Sequence, residues 1–154
     1  MLSGIAKDLA SLSQKALEHG LGSIEDNLGP LIPFTLVVDE SHPDPTERRI
    51  VLTRFAAEFL EESLQQAQGS IVPGPGIARY AIAWDGYVTV EGRKWDAILV
   101  EAGDAAAPDG MLLAQRYEAR ETGFFSKKRR NVGVGNPLAV GSTPSRLWVG
   151  ERPV

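Results

Sequence analysis

The chain has 154 residues, of which 43% are hydrophobic and 23% charged, and its formal net charge is -4 at neutral pH. That length and apolar content suit one domain with a real core, and the acidic balance excludes a protein whose whole surface is built to hold polyanions. Cysteine is absent, so disulfides, thiolate catalysis and thiolate-ligated zinc are excluded, which accords with a reducing compartment.

In MLSGIAKDLASLSQKALEHG, Leu2, Ile5, Leu9, Leu12 and Ala16 recur at spacings of three and four, which predicts a helix packed by one face, with Gly20 as a left-handed cap at its end. Lys7, Asp8 and Lys15 interrupt the apolar residues, so the segment reads as neither signal peptide nor membrane span, and the expected setting is cytoplasmic with no membrane. His19 falls in the last turn, where a cation meets the negative end of the helix dipole, and it is given no function.

After the connector GLGSIEDNLGP, the β-branched and apolar run LIPFTLVV predicts a buried strand, DESHPDPTE a loop, and RRIVLT a returning strand. Phe55, Phe59, Leu60 and Leu64 then mark one face of a helix reaching about Gln68, with Thr53 as its N-cap. SIVPGPG breaks periodicity with Pro73, Pro75, Gly74 and Gly76 and reads as a linker within the domain.

ARYAIAW, YVTVE, RKWDAILVEAG and MLLAQRYEA follow, with Asp85-Gly86 between the first two. Asp-Gly between alternating apolar runs signals a type I′ hairpin turn, so a meander of four antiparallel strands is expected. Tyr80, Ile82 and Trp84 point one way and Ala81 and Ala83 the other, the small residues admitting a helix. Beyond Glu118, repeated glycines and prolines make residues 120–154 a Gly/Pro-rich segment, expected to be largely irregular and wrapped over the surface, with VGVGNPLAVG as a candidate edge strand. The fold class expected is α+β in a single domain, 1–154: an N-terminal helix, two strands, a central amphipathic helix, an antiparallel meander with helices packed on one face, and an irregular tail. This element order resembles that of small profilin-like or roadblock-like modules, a resemblance of order rather than of sequence, which implies a central antiparallel sheet carrying helices on one face.

Chemical signatures are sparse. Asp39, Glu40, His42 and Asp44 place oxygen and imidazole donors near one another at a strand exit, but the spacing matches no calcium loop or zinc motif, and a proline-containing hairpin loop is polar in any case. Asp96 and Glu101, followed on the next strand by Gln115 and Arg116, faintly resemble the carboxylates of metal-dependent nucleases. Ala102 and Gly103 stand where that pattern needs a lysine, and arginine cannot act as a base near neutral pH. No G-x-S-x-G elbow, P-loop or complete dinucleotide fingerprint is present. No cofactor and no metal are expected, and enzymatic activity is left open.

FFSKKRRNVGVGNP, residues 124–137, is the sharpest candidate. Lys127, Lys128, Arg129 and Arg130 can meet phosphates while Phe124 or Phe125 stacks on a base. They can equally form a solvated turn whose phenylalanines anchor the tail. The acidic balance of the domain disfavours nucleic acid, and an acidic protein partner suits the same loop. The function expected is a non-catalytic interaction module, with a protein partner or self-association through a meander edge or helix face. The alternatives are a nucleic-acid or anionic-ligand binder using residues 124–137, and a divalent-metal hydrolase using carboxylates at 39–44 or 96–101.

Overall fold

A computed structural model describes residues 2–25, 29–122 and 128–150 of the chain. Helix α1 (Leu2–Ile24) is followed by β1 (Phe34–Asp39), a 3-10 turn at Pro45–Glu47, β2 (Arg49–Arg54), α2 (Leu60–Ser70), β3 (Ile77–Val90), β4 (Arg93–Asp104), β5 (Asp109–Thr122) and β6 (Lys128–Pro144). The strands form one sheet in the order β2-β1-β3-β4-β5-β6, and every neighbouring pair is antiparallel. The α+β class expected from the sequence holds.

The two helices lie on opposite faces of that sheet, not on one. Strand β3 explains why, because its alternation puts apolar side chains on both faces and both need cover. Ala81 and Ala83, with Ile98, Val100 and Ala102 of β4 and Phe34 and Leu36 of β1, pack under Leu9, Leu12, Ala16 and Leu17 of α1. Tyr80 and Ile82 pack with Ala67 and Ile71 at the α2 side, together with Leu147 from the C-terminal segment. The alanines let α1 approach closely, as their size predicts.

Several boundaries differ from the sequence expectation, each for a local reason. Helix α1 does not stop at Gly20 but continues to Ile24. Gly20 is a packing position: a Cβ there would sit 3.1 Å from the Cδ1 atom of Ile98, tighter than van der Waals contact allows. Thr53 is no helix cap, since it belongs to β2 opposite Thr35. Helix α2 begins only at Leu60, with Phe59 at the N-cap and no side-chain capping bond.

Asp85-Gly86 is not a turn. Both residues lie inside β3, opposite Ile98 and Ala97, and the hairpin closes six residues later at Glu91 and Gly92, whose φ values of 51° and 79° suit a type I′ turn. The first two expected strands are therefore one, and the fourth strand of the meander is β6. Gly86 leaves room for a neighbour, because a Cβ there would lie 2.6 Å from Leu99 Cδ1 and that side chain would have to shift. The segment expected to be largely irregular instead extends β5 to Thr122 and supplies the whole of β6. Gly135 takes a φ of 67° within β6, and the β5–β6 pairing shifts register between Leu112 and Leu113 and again between Ala114 and Arg116, so glycine and bulge absorb what the composition suggested would break the strand.

Candidate functional site

The acidic stretch after β1 spends its polar groups on its own turn. Asp39 accepts the backbone N–H of Ser41 at 2.9 Å, the ring Nδ1 of His42 accepts that of Asp44 at 3.1 Å, and Asp44 accepts the N–H and hydroxyl of Thr46 at 3.0 and 2.9 Å. Hydrogen bonding from the Ser41 side chain, and next from its backbone, holds the Asp39 carboxyl below its ordinary pKa. The backbone N–H of Thr46, followed by its hydroxyl, does the same for Asp44. Glu40 turns instead to Arg79, 3.5 Å away. Among the described residues no group of three or more His, Cys, Asp or Glu is disposed to hold a metal ion.

Asp96 and Glu101 are not brought together either. They are five residues apart on an unbroken stretch of β4, an odd separation that sends them to opposite faces. Asp96 is exposed. Glu101 is buried, accepts the Tyr80 hydroxyl at 2.8 Å, and forms a two-point ion pair with the Nε and terminal nitrogen of Arg146 at 2.7 and 3.2 Å. Burial raises the pKa of the Tyr80 phenol far above its ordinary value, while the bond to Glu101 raises that of Arg146.

Two further, half-buried polar clusters carried no sequence signal, because their members are far apart in the chain. Arg79 reaches Asp104 at 3.2 Å and Asp8 at 3.5 Å, tying the start of β3 to the end of β4 and to α1. The hydroxyl of Tyr117 donates to both carboxylate oxygens of Asp85 at 2.7 and 2.9 Å, and the same carboxylate accepts the N–H of Leu31 at 2.9 Å. The Tyr117 phenol is pushed up strongly by burial and then by its bond to Asp85. These clusters fix elements to one another.

A different arrangement occupies the half of the sheet that α2 leaves bare. Glu101 faces α2, so the alternation of β4 places Leu99, Ala97, Trp95 and Arg93 on that same face. Ala97 is opposite Arg116, which adds Arg116, Glu118 and Arg120 of β5. Pairing between β4 and β5 ends at that position, and beyond it side chains span the gap. The Arg93 guanidinium lies 3.6 Å from the centre of the Trp95 ring and that of Arg116 5.1 Å from it, while Glu118 bridges Arg93 at 3.7 Å and Arg120 at 2.7 Å. Arg116 has no carboxylate partner among the described residues, and its Nε is buried without a hydrogen bond. Beside this surface, just before β1 begins, a hollow of about 320 Å³ is lined by residues including Leu60, Leu64, Trp84, Gly86 and Tyr87.

Of the basic segment singled out in the sequence, Phe124, Phe125 and Lys127 lie outside the described residues. Lys128 opens β6 opposite Thr122. Arg129 is exposed, and Arg130, opposite Arg120, reaches Glu25 at 3.4 Å. The described part of the segment thus opens β6 at the end of the sheet that carries Arg93 and Arg120. Arg93, Trp95 and Arg116 were visible in the sequence only as scattered residues; strand alternation in the right register is the signal that unites them.

No helix among the described residues is long and apolar enough to cross a membrane. No protein-family model, no curated protein and no solved structure matches the chain, and the resemblance in element order to profilin-like and roadblock-like modules gains no support from them.

Proposed function

We propose that the chain is a non-catalytic interaction module that holds an acidic protein partner against the half of the sheet left bare by α2. The observation that carries this reading is the Arg93–Trp95–Arg116 cluster, in which two guanidiniums lie over one indole, 3.6 and 5.1 Å from its centre, and Arg116 lacks a carboxylate among the described residues. Stacked arginines keep their in-plane donors free for carboxylates, and aromatic and arginine side chains dominate binding energy at protein interfaces. We assign Phe124, Phe125, Lys127, Lys128, Arg129 and Arg130 to the same proposed surface; among them Lys128 and Arg130 stand opposite Thr122 and Arg120, at the end of the sheet that carries Arg93. A cytoplasmic setting suits a chain that contains no cysteine.

Fluorescence anisotropy with a labelled oligoglutamate peptide tests this. Binding is expected to weaken steeply with salt and to fall about tenfold or more in Arg93→Glu/Arg120→Glu. A salt-insensitive curve, or full binding by the double variant, defeats the reading. Guanidinium–indole stacking also favours a second reading, a single-stranded nucleic acid or other anionic ligand. A labelled oligothymidylate of equal length that binds more tightly than the peptide puts that reading first.

A further inference from the structure

The bare half of the sheet has a complement within the same molecule. Helix α2 packs against β1 and β3, burying Ser63 and Ala67, and turns an acidic and apolar end outward. Phe59 and Leu60 there are 60% and 44% exposed, and Glu58, Glu61 and Glu62 around them are exposed as well. None of these glutamates makes an ion pair or side-chain hydrogen bond among the described residues. Large apolar side chains held in water between unpaired carboxylates mark a contact surface, and its chemistry is the inverse of Arg93, Trp95, Arg116 and Arg120.

We infer that the acidic partner of this face is a second copy of the chain: the Glu58–Glu62 end of α2 in one copy lies over the Arg93–Trp95–Arg116 surface of the other. This rests on the interaction reading above and names its partner. Symmetry supports it. The donor and acceptor patches are on the same face of the same sheet, so one two-fold rotation, face to face, makes both contacts at once and closes the assembly at a dimer. The hollow lined by Leu60, Leu64, Trp84 and Gly86 lies between the patches, where Phe59 and Leu60 of the opposing copy can bury apolar surface. Within one molecule the patches cannot meet, since α2 is anchored over β1 and β3 while the arginines stand on β4 and β5.

The test is a charge exchange read by sedimentation velocity at about 100 μM, a concentration that populates even a weak dimer. The wild-type chain is expected to sediment as a dimer that dissociates as salt is raised. Arg93→Glu/Arg120→Glu and Glu58→Arg/Glu61→Arg/Glu62→Arg, altered only at exposed positions, should each be monomeric with unchanged circular dichroism, and an equimolar mixture of the two should return to a dimer. Restoration by mixing is the decisive result, because one contact of the mixed dimer then pairs two unaltered patches and the other two altered ones, and both carry opposite charges again. A monomeric wild-type chain, or a dimer that survives both sets of substitutions, overturns the inference. If the wild-type monomer still binds the oligoglutamate peptide through Arg93 and Arg120, the interaction reading stands and only the second copy is rejected; if it binds neither, both fall.

Discussion

The two faces of the sheet are built to different plans. On the α1 side a helix of 23 residues seals a continuous apolar layer that reaches from Phe34 and Leu36 through Ala81 and Ala83 to Ile98, Val100 and Ala102. On the other side α2, with 11 residues, covers the β1–β3 end, the C-terminal Leu147 plugs a second position, and the rest is finished by Glu101–Arg146 and by arginines laid on Trp95. One face is completed mainly by hydrophobic burial and the other largely by charged side chains, whose arginines have donors to offer a partner. On the proposed reading, stability and recognition fall to different faces of one sheet.

This division can be broken from either side. The largest effect is expected at Ile98, which is fully buried under α1 and touches the Gly20 position: Ile98→Ala should cost about 2–5 kcal/mol by urea denaturation, through lost transfer energy and a cavity the close helix cannot fill. Arg146→Ala strands the buried Glu101 carboxylate and should cost about 2–4 kcal/mol, whereas changing both Glu101 and Arg146 to leucine should cost less than the single change. A single change no worse than the double one would mean that Glu101 finds water or another donor. Tyr117→Phe removes one donor from Asp85 while Leu31 still supplies its N–H, so about 1–2 kcal/mol is expected in the same assay.

The smallest expected effect is at His19. Its ring meets Phe34 edge-on at 4.9 Å between centres, and its Nε2 is 3.1 Å from a terminal nitrogen of Arg54, which makes the imidazole the acceptor. The cationic role at the helix end expected from the sequence is therefore disfavoured: burial first, and then the Arg54 charge, lower its pKa below 6.5. The unfolded chain takes up a proton where the folded chain does not, so the contribution is fully present above pH 6.5 and is lost as the pH falls through the lowered folded value. His19→Gln should flatten a shallow loss of the urea midpoint on acidification from about pH 7 to 5. An unchanged slope would assign that loss to other groups.

Much of the fold was legible because its signals are local. The period of α1, the β-branched run of β1 and the alternation of β3 each follow from which residues must leave water, and that depends only on near neighbours in the chain. Asp85-Gly86 misled because the same dipeptide serves two needs, positive φ in a turn and small volume beside a crowded strand; here Leu99 demands the volume and Tyr117 the carboxylate. The edge strand expected at 132–141 is present at the margin of the sheet, where proline is tolerated, and only its extent was misread, because β5 supplies a partner along nearly the whole of residues 128–144. The basic run at 128–130 lies at the same end of the sheet as Arg93 and Arg120, yet the stack around Trp95 could not be read from spacing, since Arg93 and Arg116 reach Trp95 only once β4 and β5 are paired in register.

By itself the sequence determined the class of fold, the order of its elements and the faces that its strands bury, because alternation and helical period are properties of a few consecutive residues. Only the tertiary structure decided that the helices take opposite faces, that Glu101 and Asp96 are separated while Glu101 and Arg146 meet, and that two arginines gather over one indole. Those outcomes depend on register between distant strands, where a shift of one residue would exchange every side chain between the buried and the open face.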